Sequence, residues 1–517
     1  MTTKQYILSP VEAHQLQTAY RTVRRSVDAR QRDIKVNLTL LIDDKGIPIP
    51  KDAPIPLYEA PKFRFVGDSP KRIIIVGCGP AGLFAALTAL ELGIKPIIYE
   101  RGKMVSDRKR DIALLNRNEG LNPESNYCFG EGGAGTFSDG KLFSRSKKRG
   151  DMQRVMELFH YFGAPDTVLY EAHAHIGSDR LPRIIQNMRE CIIAHGGEIH
   201  FETRIDSVLT LAKQADVVVL AIGHSAHDTY RMLADEGVAM ESKGFAMGVR
   251  VEHPQSLIND LFYHLERQST EQKQQLISLL GNASYSLVTQ VPVLHSPLPT
   301  PHSLGVYSFC MCPGGHIVPA GSQAAGCVVN GMSASHRNSP YANSGIVVEL
   351  HPSYLPSLIG EDGGTLSSLL FQEHFESLAK QHGGEAAQAP AQRLRDFVEG
   401  RESNSLPACS YLPGVVPSRM NRWLPEPIRS ALQQGFRDFD RKHSGYLTND
   451  ALIVGVESRS SSPIRIVRDT QTMQSISHPW LYPVGEGAGY AGGITSSALD
   501  GMNAVRKFAE TIPSNLL

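Results

Sequence analysis

The stretch KRIIIVGCGPAGLFAALTALELGIKPIIYERG, residues 71–102, decides the fold of this chain. An apolar strand ends at Val76 and is followed by Gly77-x-Gly79-x-x-Gly82, which opens an Ala- and Leu-rich helix. In such a turn the first glycine permits the tight bend, the second lets a pyrophosphate approach the backbone, and the third lets helix and strand pack closely. The helix N-terminus adds free N–H groups and the positive end of its dipole. The stretch therefore predicts a dinucleotide-binding βαβ unit.

A second strand, KPIIYE, ends in Glu100. A carboxylate at this position can accept hydrogen bonds from the ribose hydroxyls of an adenosine. Because strand, glycines, helix, second strand and terminal acid occur in register, a glycine turn without a ligand explains the pattern poorly.

Two further segments match the same glycine spacing. Gly130-x-Gly132-x-x-Gly135 has no apolar strand before it and no helical pattern after it, so it is not a second nucleotide turn. The other segment, 487–492, follows a strand and precedes a helix, but too little chain remains for another strand and acid. We expect it to complete the first domain. An extended dinucleotide with a bulky ring needs close backbone at several places, so the three segments favour non-covalent FAD over NAD.

Composition narrows the class of protein. The 517 residues include 52 Lys+Arg and 52 Asp+Glu, and this balance argues against a broad nucleic-acid surface. The start, MTTKQYILSP, has no apolar signal core, and no apolar run approaches the roughly 18 residues of a membrane span. Seven scattered cysteines do not resemble a disulfide framework, and no Cys/His spacing indicates zinc or an iron–sulfur cluster. We expect a soluble cytoplasmic protein without metal, nucleic-acid or membrane partners; its oligomeric state is left open.

The expected fold class is α/β, with a discontinuous Rossmann-type FAD-binding domain of three ββα layers, an inserted mainly β substrate domain and a small N-terminal α/β domain. Helical spacing over residues 10–30 ends in the basic stretch RRSVDARQR, and IKVNLTLLID reads as a strand. EIHFETRIDSVLTL and ADVVVLAIG also read as strands. The expected segments are an N-terminal appendage with a Pro-rich linker (1–65), the first FAD-binding part (66–240), the inserted domain (241–450) and the C-terminal FAD-binding part (451–517).

Several longer motifs resemble known flavoproteins. VGCGPAGLFAALTALELG with YERG, ADVVVLAIGHSA and LYPVGEGAGYAGGITSSALDGMNA is similar to two-dinucleotide-fold flavoproteins of the glutathione-reductase type. FGEGGAGTFSDGKL, FCMCPGGHIVPAGSQAAGCVVNGMSASHRNSPYANSG and GVESRSSSPIRIVRD resemble the bacterial FAD-dependent dehydrogenases called NAD(FAD)-utilising dehydrogenases. The resemblance covers residues 65–517 and implies a cofactor and a fold, but no substrate.

The resemblance also implies positions that hold FAD. Glu486 stands where related flavoproteins have Asp, so its carboxylate contact with the ribityl and pyrophosphate is extended by a methylene. The helix beginning near Ile494 is expected to direct its N-terminus at the flavin pyrimidine edge, where a positive dipole stabilises reduced flavin. The full expected set is Gly77, Gly79, Pro80, Ala81, Gly82, Glu100, Arg101, Gly132, Gly133, Gly135, Lys141, Ala221, Gly223, Gly485, Glu486, Gly492, Gly493 and Ile494.

Candidates for the chemistry lie outside the glycine segments. Arg337 and Arg459 occur in small polar loops and could clamp a substrate carboxylate or phosphate, although ordinary ion pairs explain them equally well. Cys312 follows Cys310 on a predicted strand, so the two thiols share a face. Thiol redox chemistry coupled to the flavin is one interpretation, and two small buried residues is the favoured one. His224, after the FAD strand, is expected to serve in a cap or loop.

The functional expectation is an FAD-dependent oxidoreductase, a dehydrogenase or reductase that transfers a hydride between FAD and an unidentified small organic substrate. One alternative is a flavin reductase that takes electrons from NAD(P)H without a dedicated nucleotide domain. Another, suggested by the basic N-terminal stretch alone, is a flavin-dependent RNA-modifying or RNA-binding protein. A third is a flavin-bearing scaffold without turnover.

Overall fold

A five-stranded parallel sheet carries the predicted βαβ unit. In the computed structural model, which describes residues 1–143, 150–292, 303–355 and 364–513, the unit consists of strand Arg72–Val76, helix Pro80–Leu92 and strand Lys95–Tyr99. The sheet order is Leu481–Pro483, Val217–Leu220, Arg72–Val76, Lys95–Tyr99 and Glu198–His200. Strand Leu481–Pro483, from near the C-terminal end of the chain, thus pairs into the sheet begun at residue 72.

Both faces of this sheet are covered. On one face, helices Pro80–Leu92, Leu181–Ala194 and Ile494–Glu510 bury alternate residues such as Ile73 and Ile75. On the other face, Ile74 and Val76 pack against helix His227–Asp235 and a two-stranded ribbon of Met240–Ser242 and Ile464–Ile466. Burial on both sides explains the continuous apolar runs of the strands. The three-layer expectation places a layer of strands on this face. In the described residues, that layer consists of the two-stranded ribbon and helix His227–Asp235.

The seven-stranded sheet forms a second body with its own core. Its order is Val288–Pro292, Ser303–Cys312, Tyr341–Leu350, Phe245–Pro254, Leu452–Glu457, Ala389–Arg393 and Val415–Pro417, and each pair is antiparallel except the last. The expected domain boundary after residue 450 is wrong by several residues, because strand Leu452–Glu457 pairs within this sheet rather than with the FAD-type sheet.

The N-terminal module is α/β as expected, but its basic stretch is not helical. Helix Pro10–Ala19 ends early, and Thr22–Asp28 forms a strand beside Lys35–Ile42, with Thr2–Leu8 on the other side. Pairing with the neighbouring strand outweighs the local helical spacing, since it satisfies the backbone of the whole segment.

One other local prediction is also wrong. Within EIHFETRIDSVLTL, only Glu198–His200 is a strand, and Val208–Leu211 is a short helix. Ser207 caps this helix, and the Glu236 carboxylate accepts hydrogen bonds from the N–H groups of Val208 and Leu209. Capping by a residue distant in sequence decides the conformation here.

The remaining elements surround these three sheets, and no helix among the described residues is long and apolar enough to cross a membrane. A two-stranded ribbon consists of His316–Pro319 and Val329–Met332. The other helices are Val105–Asn116, Met152–Tyr161, Thr167–Tyr170, Gln255–Tyr263, Thr270–Leu280, Ser367–Gln381, Leu394–Glu399, Met420–Trp423 and Glu426–Lys442.

The two long helices of the FAD-type domain touch through glycine. A methyl group placed on Gly501 would lie 2.0 Å from the carbonyl oxygen of Ala81. We expect Gly501→Ala to lower the free energy of unfolding by about 1–3 kcal/mol through overpacking, although Gly→Ala inside a helix ordinarily stabilises. Urea denaturation followed by circular dichroism measures the change. Lys507→Ala, on the exposed side of the same helix, is the control; equal effects of the two variants would contradict the close contact.

Candidate cofactor-binding site

The three glycine segments meet at the N-terminus of helix Pro80–Leu92. A methyl group built on Gly133 would lie 3.1 Å from Gly79 Cα, and one on Gly485 would lie 2.9 Å from Ala81 Cβ. One on Gly135 would come within 3.4 Å of the Ile494 side chain. Segments 77–82, 130–135 and 485–493 are therefore neighbours in space, which their sequence separation does not show.

The turn itself has the geometry that its glycines require. Gly77 has φ +105°, and a Cβ there would lie 2.3 Å from the carbonyl oxygen of Ala221, at the end of the adjacent strand. A Cβ on Gly82 would lie 2.0 Å from the Gly77 carbonyl oxygen. These two glycines let turn, helix and neighbouring strand pack in contact, as predicted.

Other glycines of the set border open space. A Cβ on Gly79 would meet only Gly133 Cα, at 3.8 Å, and one on Gly223, Gly492 or Gly493 would meet no atom within 4 Å. Side chains at these positions would enter open space, and this open region along the three glycine segments is termed the backbone groove. An extended dinucleotide needs close backbone along its length, and glycines beside open space allow that approach.

Two helices begin at this groove. Helix Pro80–Leu92 starts after Gly79 and helix Ile494–Glu510 starts after Gly493, and neither has a side-chain cap. Uncapped N-termini present backbone N–H groups and the positive end of the helix dipole. The first suits a pyrophosphate, and the second suits a ring edge that becomes negative on reduction.

The Glu100 carboxylate forms hydrogen bonds with backbone N–H groups in the structure. Its buried carboxylate accepts hydrogen bonds from the N–H groups of Cys78, at 2.8 Å, and of Gly102 and Gly130, each at 2.9 Å. These bonds join the second strand to two glycine segments and use most of the roughly four acceptor sites of a carboxylate. The ribose contact expected for Glu100 stays a prediction.

Arg101 is held by protein carboxylates. Its guanidinium donates to Glu124 at 2.8 Å and to both oxygens of Asp228 at 2.9 Å, and it stacks on Phe129 with 4.1 Å to the ring centroid. A cation with these partners positions the loop that follows the second strand. The contact with the ADP half expected for Arg101 stays a prediction.

Arg108 is a site residue that the sequence did not reveal. It is fully buried in helix Val105–Asn116 and donates to the carbonyl oxygens of Asn126 (2.8 Å), Tyr127 (3.0 Å) and Glu131 (2.8 Å). Burial lowers its pKa to about 10, so it remains protonated at neutral pH. One guanidinium thus shapes the loop that carries Gly132, Gly133 and Gly135.

Arg468 and Asp500 were likewise missed. The guanidinium donates to both oxygens of Asp500, at 2.9 and 2.7 Å, and Asp500 also accepts from the N–H of Gly485 at 2.8 Å. Asp500 therefore fixes the turn before helix Ile494–Glu510. Glu486, expected to contact the cofactor, lies 3.5 Å from His224, which follows Gly223 at the groove.

The two arginines proposed as a clamp have separate partners. Arg337 donates to Asp139 at 2.8 Å, while Arg459 is buried and forms a bidentate pair with Glu376 at 3.0 and 2.9 Å. The Glu376 carboxylate raises the pKa of Arg459 against the opposing effect of burial. The structure does not bring these guanidinium groups together as a clamp, and the ion-pair alternative describes both.

Lys141 lies beside the two thiols of the seven-stranded sheet. Its Nζ is 3.7 Å from Cys310 Sγ, 3.5 Å from Cys312 Sγ and 3.1 Å from Asp139. Cys310 is partly exposed, and a cation against both sulfurs is more than two small packed residues require. The favoured interpretation of the cysteines is therefore incomplete.

A buried charge pair supports this region from the sheet. Arg250 donates to Glu457 at 2.9 Å and to the carbonyl oxygen of Cys310 at 2.7 Å. The sequence contains a signal for this pair, because the apolar runs FAMGVRV and LIVGVE each contain a single charged residue. A charge buried among apolar residues requires a partner of opposite charge.

Comparison with known sequences gives two family matches and one relative. Residues 244–460 match a family described as FAD-dependent protein, C-terminal domain-like, and residues 10–43 match a domain of unknown function. An uncharacterized protein of Clostridium beijerinckii is 39% identical over 511 residues, which cover 94% of this chain and 92% of that protein.

Solved flavoprotein structures resemble the chain only weakly. CtdE in complex with FAD has a TM-score of 0.29 at 10% identity and covers 86% of this chain and 84% of its own. The tetrameric form of 2-methyl-3-hydroxypyridine-5-carboxylic acid oxygenase gives 0.31 at 10% identity, with the same coverage. A flavoprotein/dehydrogenase from Cytophaga hutchinsonii gives 0.31 at 10% identity, over 85% of this chain and 77% of its own. Scores of this size carry no argument about the site.

The role of Arg108 is open to a direct test. We expect Arg108→Lys to lower the free energy of unfolding by about 2–4 kcal/mol, because a lysine cannot satisfy three buried carbonyl groups from that position. Hydrogen exchange should accelerate in residues 126–136. Arg110→Lys, on the exposed side of the same helix, is the matched control. Unchanged exchange in 126–136 would show that Arg108 does not hold the loop.

Proposed function

Because this chain belongs to the same protein family as the Clostridium beijerinckii relative, and its residues 244–460 match the C-terminal domain of FAD-dependent proteins, we propose that it is an FAD-dependent oxidoreductase. The observation that carries the proposal is the backbone groove where three glycine segments meet beside two uncapped helix N-termini.

We assign the parts of the groove by their chemistry. The N-terminus of helix Pro80–Leu92 and Gly79 hold the pyrophosphate, because the N–H groups and the dipole favour an anion there. Gly485 and Glu486 bind the ribityl end, and the N-terminus of helix Ile494–Glu510 faces the pyrimidine edge of the ring. When bound, FAD supplies hydride transfer to or from an organic substrate.

The substrate approaches, in this proposal, from the side of the seven-stranded sheet. Lys141 keeps a third of its side-chain surface exposed there, so its charge is available to orient an electron-rich or anionic group. Asp139 and Arg337 hold the loop of Lys141 in place. The substrate is a small organic molecule, and NAD(P)H as electron donor stays a prediction.

No observation favours the RNA-binding alternative. The part of the basic stretch up to Asp28 lies in a strand, where Arg25 pairs with Glu171. Arg30, after the end of this strand, pairs with Asp28.

The proposal predicts a flavin in the purified protein. We expect one equivalent of FAD to be released on denaturation. The flavin absorbance band at roughly 450 nm should bleach under an anaerobic reductant. Addition of NADPH and NADH separates a pyridine-nucleotide-linked enzyme, which bleaches rapidly, from one reduced by its organic substrate. A protein that neither carries nor rebinds FAD contradicts the proposal.

Gly79 offers a variant that separates binding from folding. Its φ is −80°, an ordinary angle, and a methyl group there meets only Gly133 Cα at 3.8 Å. We expect Gly79→Ala to leave the thermal midpoint of the apoprotein unchanged and to weaken FAD binding by roughly tenfold or more, because the methyl group occupies the path of the pyrophosphate.

The matched control for this measurement is Gly321→Ala. Its methyl group would make only ordinary contacts, at 3.5 Å, in a cleft apart from the glycine groove. Isothermal titration of both apoproteins with FAD reads the difference. Equal affinity in the two variants would place the pyrophosphate elsewhere.

A further inference from the structure

Two cysteines and two cations from separate parts of the chain form one cluster. Lys141, from the loop after the second glycine segment, lies 3.7 Å from Cys310 Sγ and 3.5 Å from Cys312 Sγ. Arg250, from strand Phe245–Pro254, which lies one strand beyond Tyr341–Leu350 in the same sheet, has its Nη2 3.5 Å from Cys312 Sγ. Both thiols are free, and each lies next to a positive charge in a largely buried place.

The backbone at this point departs from a regular strand. The register between Ser303–Cys312 and Tyr341–Leu350 shifts between Phe309 and Cys312, and Cys310 has φ +49°. Few residues other than glycine adopt this angle, and those that do concentrate at functional sites. The bulge turns the Cys310 carbonyl toward Arg250, at 2.7 Å, and toward the Cys312 thiol, at 3.3 Å.

One hydrogen bond distinguishes the two sulfurs, because the two cations act in the same direction on the pKa of both of them. A hydrogen bond from Cys312 holds the pKa of Cys310 well below its usual range, and the charges of Lys141 and Arg250 add to the effect against burial and Asp139. The same hydrogen bond and burial raise the pKa of Cys312. The cluster therefore pairs a thiolate with a thiol, the combination that thiol–disulfide chemistry uses.

The cluster adjoins the ring end of the proposed cofactor groove on two sides. Next to Lys141, the carbonyl oxygen of Leu142 accepts a 2.7 Å hydrogen bond from Thr495, in the first turn of helix Ile494–Glu510. On the other side, Glu457 pairs with Arg250, and His224 and Cys310 lie within electrostatic range of its carboxylate. His224 in turn contacts Glu486.

We propose that Cys310 and Cys312 form a dithiol–disulfide pair that exchanges two electrons with the flavin. In the oxidising direction the S–H bond of Cys312 breaks and an S–S bond forms between the two sulfurs. The two electrons pass to FAD together with that proton and one proton from solvent, which gives FADH2. Lys141 remains protonated throughout and stabilises the thiolate. The electron exchange depends on the proposed function, whereas disulfide formation does not.

The first experiment reads the pair without the cofactor. The full-length protein is treated with diamide, alkylated with iodoacetamide and mapped by mass spectrometry. We expect a disulfide between Cys310 and Cys312 that dithiothreitol reverses, that is absent in Cys310→Ser and Cys312→Ser, and that persists in the control Cys191→Ser. Independent alkylation of both cysteines after oxidation would overturn the pair.

The second experiment counts electrons in the FAD-loaded protein. After oxidation, anaerobic dithionite titration should consume twice as many electrons per flavin in wild type and Cys191→Ser as in Cys310→Ser or Cys312→Ser. Equal consumption in all four proteins, with flavin present, would show that the thiols do not exchange with the ring. Absence of flavin would instead refute the proposed function, while the trapping experiment would still decide whether the disulfide forms.

Lys141 is a positioning residue in this account, and its charge has a separate readout. We expect Lys141→Met to slow alkylation of Cys310 at neutral pH by on the order of tenfold, because the thiolate fraction falls. The pH profile of the alkylation rate should move to higher pH. Lys141→Arg, which keeps the charge, should restore most of the rate. Equal rates and profiles in the methionine variant would overturn the role of Lys141.

Discussion

The structure depends on close backbone contact around the N-terminus of helix Pro80–Leu92. Gly82 rests on the carbonyl of Gly77, Gly501 rests on the carbonyl of Ala81, and Gly133 faces Gly79. A side chain at Gly82, Gly133 or Gly501 would separate segments that pack in contact, including two helices that lie far apart in the chain. The same absence of side chains leaves a groove bounded by backbone. Close packing and the proposed cofactor binding therefore both require glycine in these segments.

Buried arginines hold irregular segments both at the glycine turns and in the seven-stranded sheet. Arg108 binds the loop of the second glycine segment, Arg468 and Asp500 fix the third, Arg250 braces the bulged strand at Cys310, and Arg459 with Glu376 joins the polar loop after strand Leu452–Glu457 to helix Ser367–Gln381. Burying a charge is costly unless it is fully paired. Each of these guanidinium groups has several acceptors, and so it can organise a loop that lacks regular hydrogen bonding.

The sequence predicted the parts of the fold whose causes are local. Glycine spacing, the apolar strands and the terminal helix Ile494–Glu510 follow from patterns within a few dozen residues, and the structure has them where expected. Strand Thr22–Asp28 was mispredicted because pairing with the neighbouring strand decides it, and helix Val208–Leu211 because capping by the distant residue Glu236 decides it. The partners of Arg337 and Arg459 were beyond prediction for the same reason. Lone charges in apolar runs were a sequence signal for the buried pair of Arg250 and Glu457.

The central claim of this account is that the backbone groove holds FAD. A crystal structure of the protein with its cofactor tests the claim most directly. The account predicts a pyrophosphate within hydrogen-bonding distance of the backbone N–H groups that follow Gly79, and a flavin ring between the N-terminus of helix Ile494–Glu510 and the Lys141 loop. Density for FAD elsewhere in the chain, or an empty groove at saturating FAD, would contradict it.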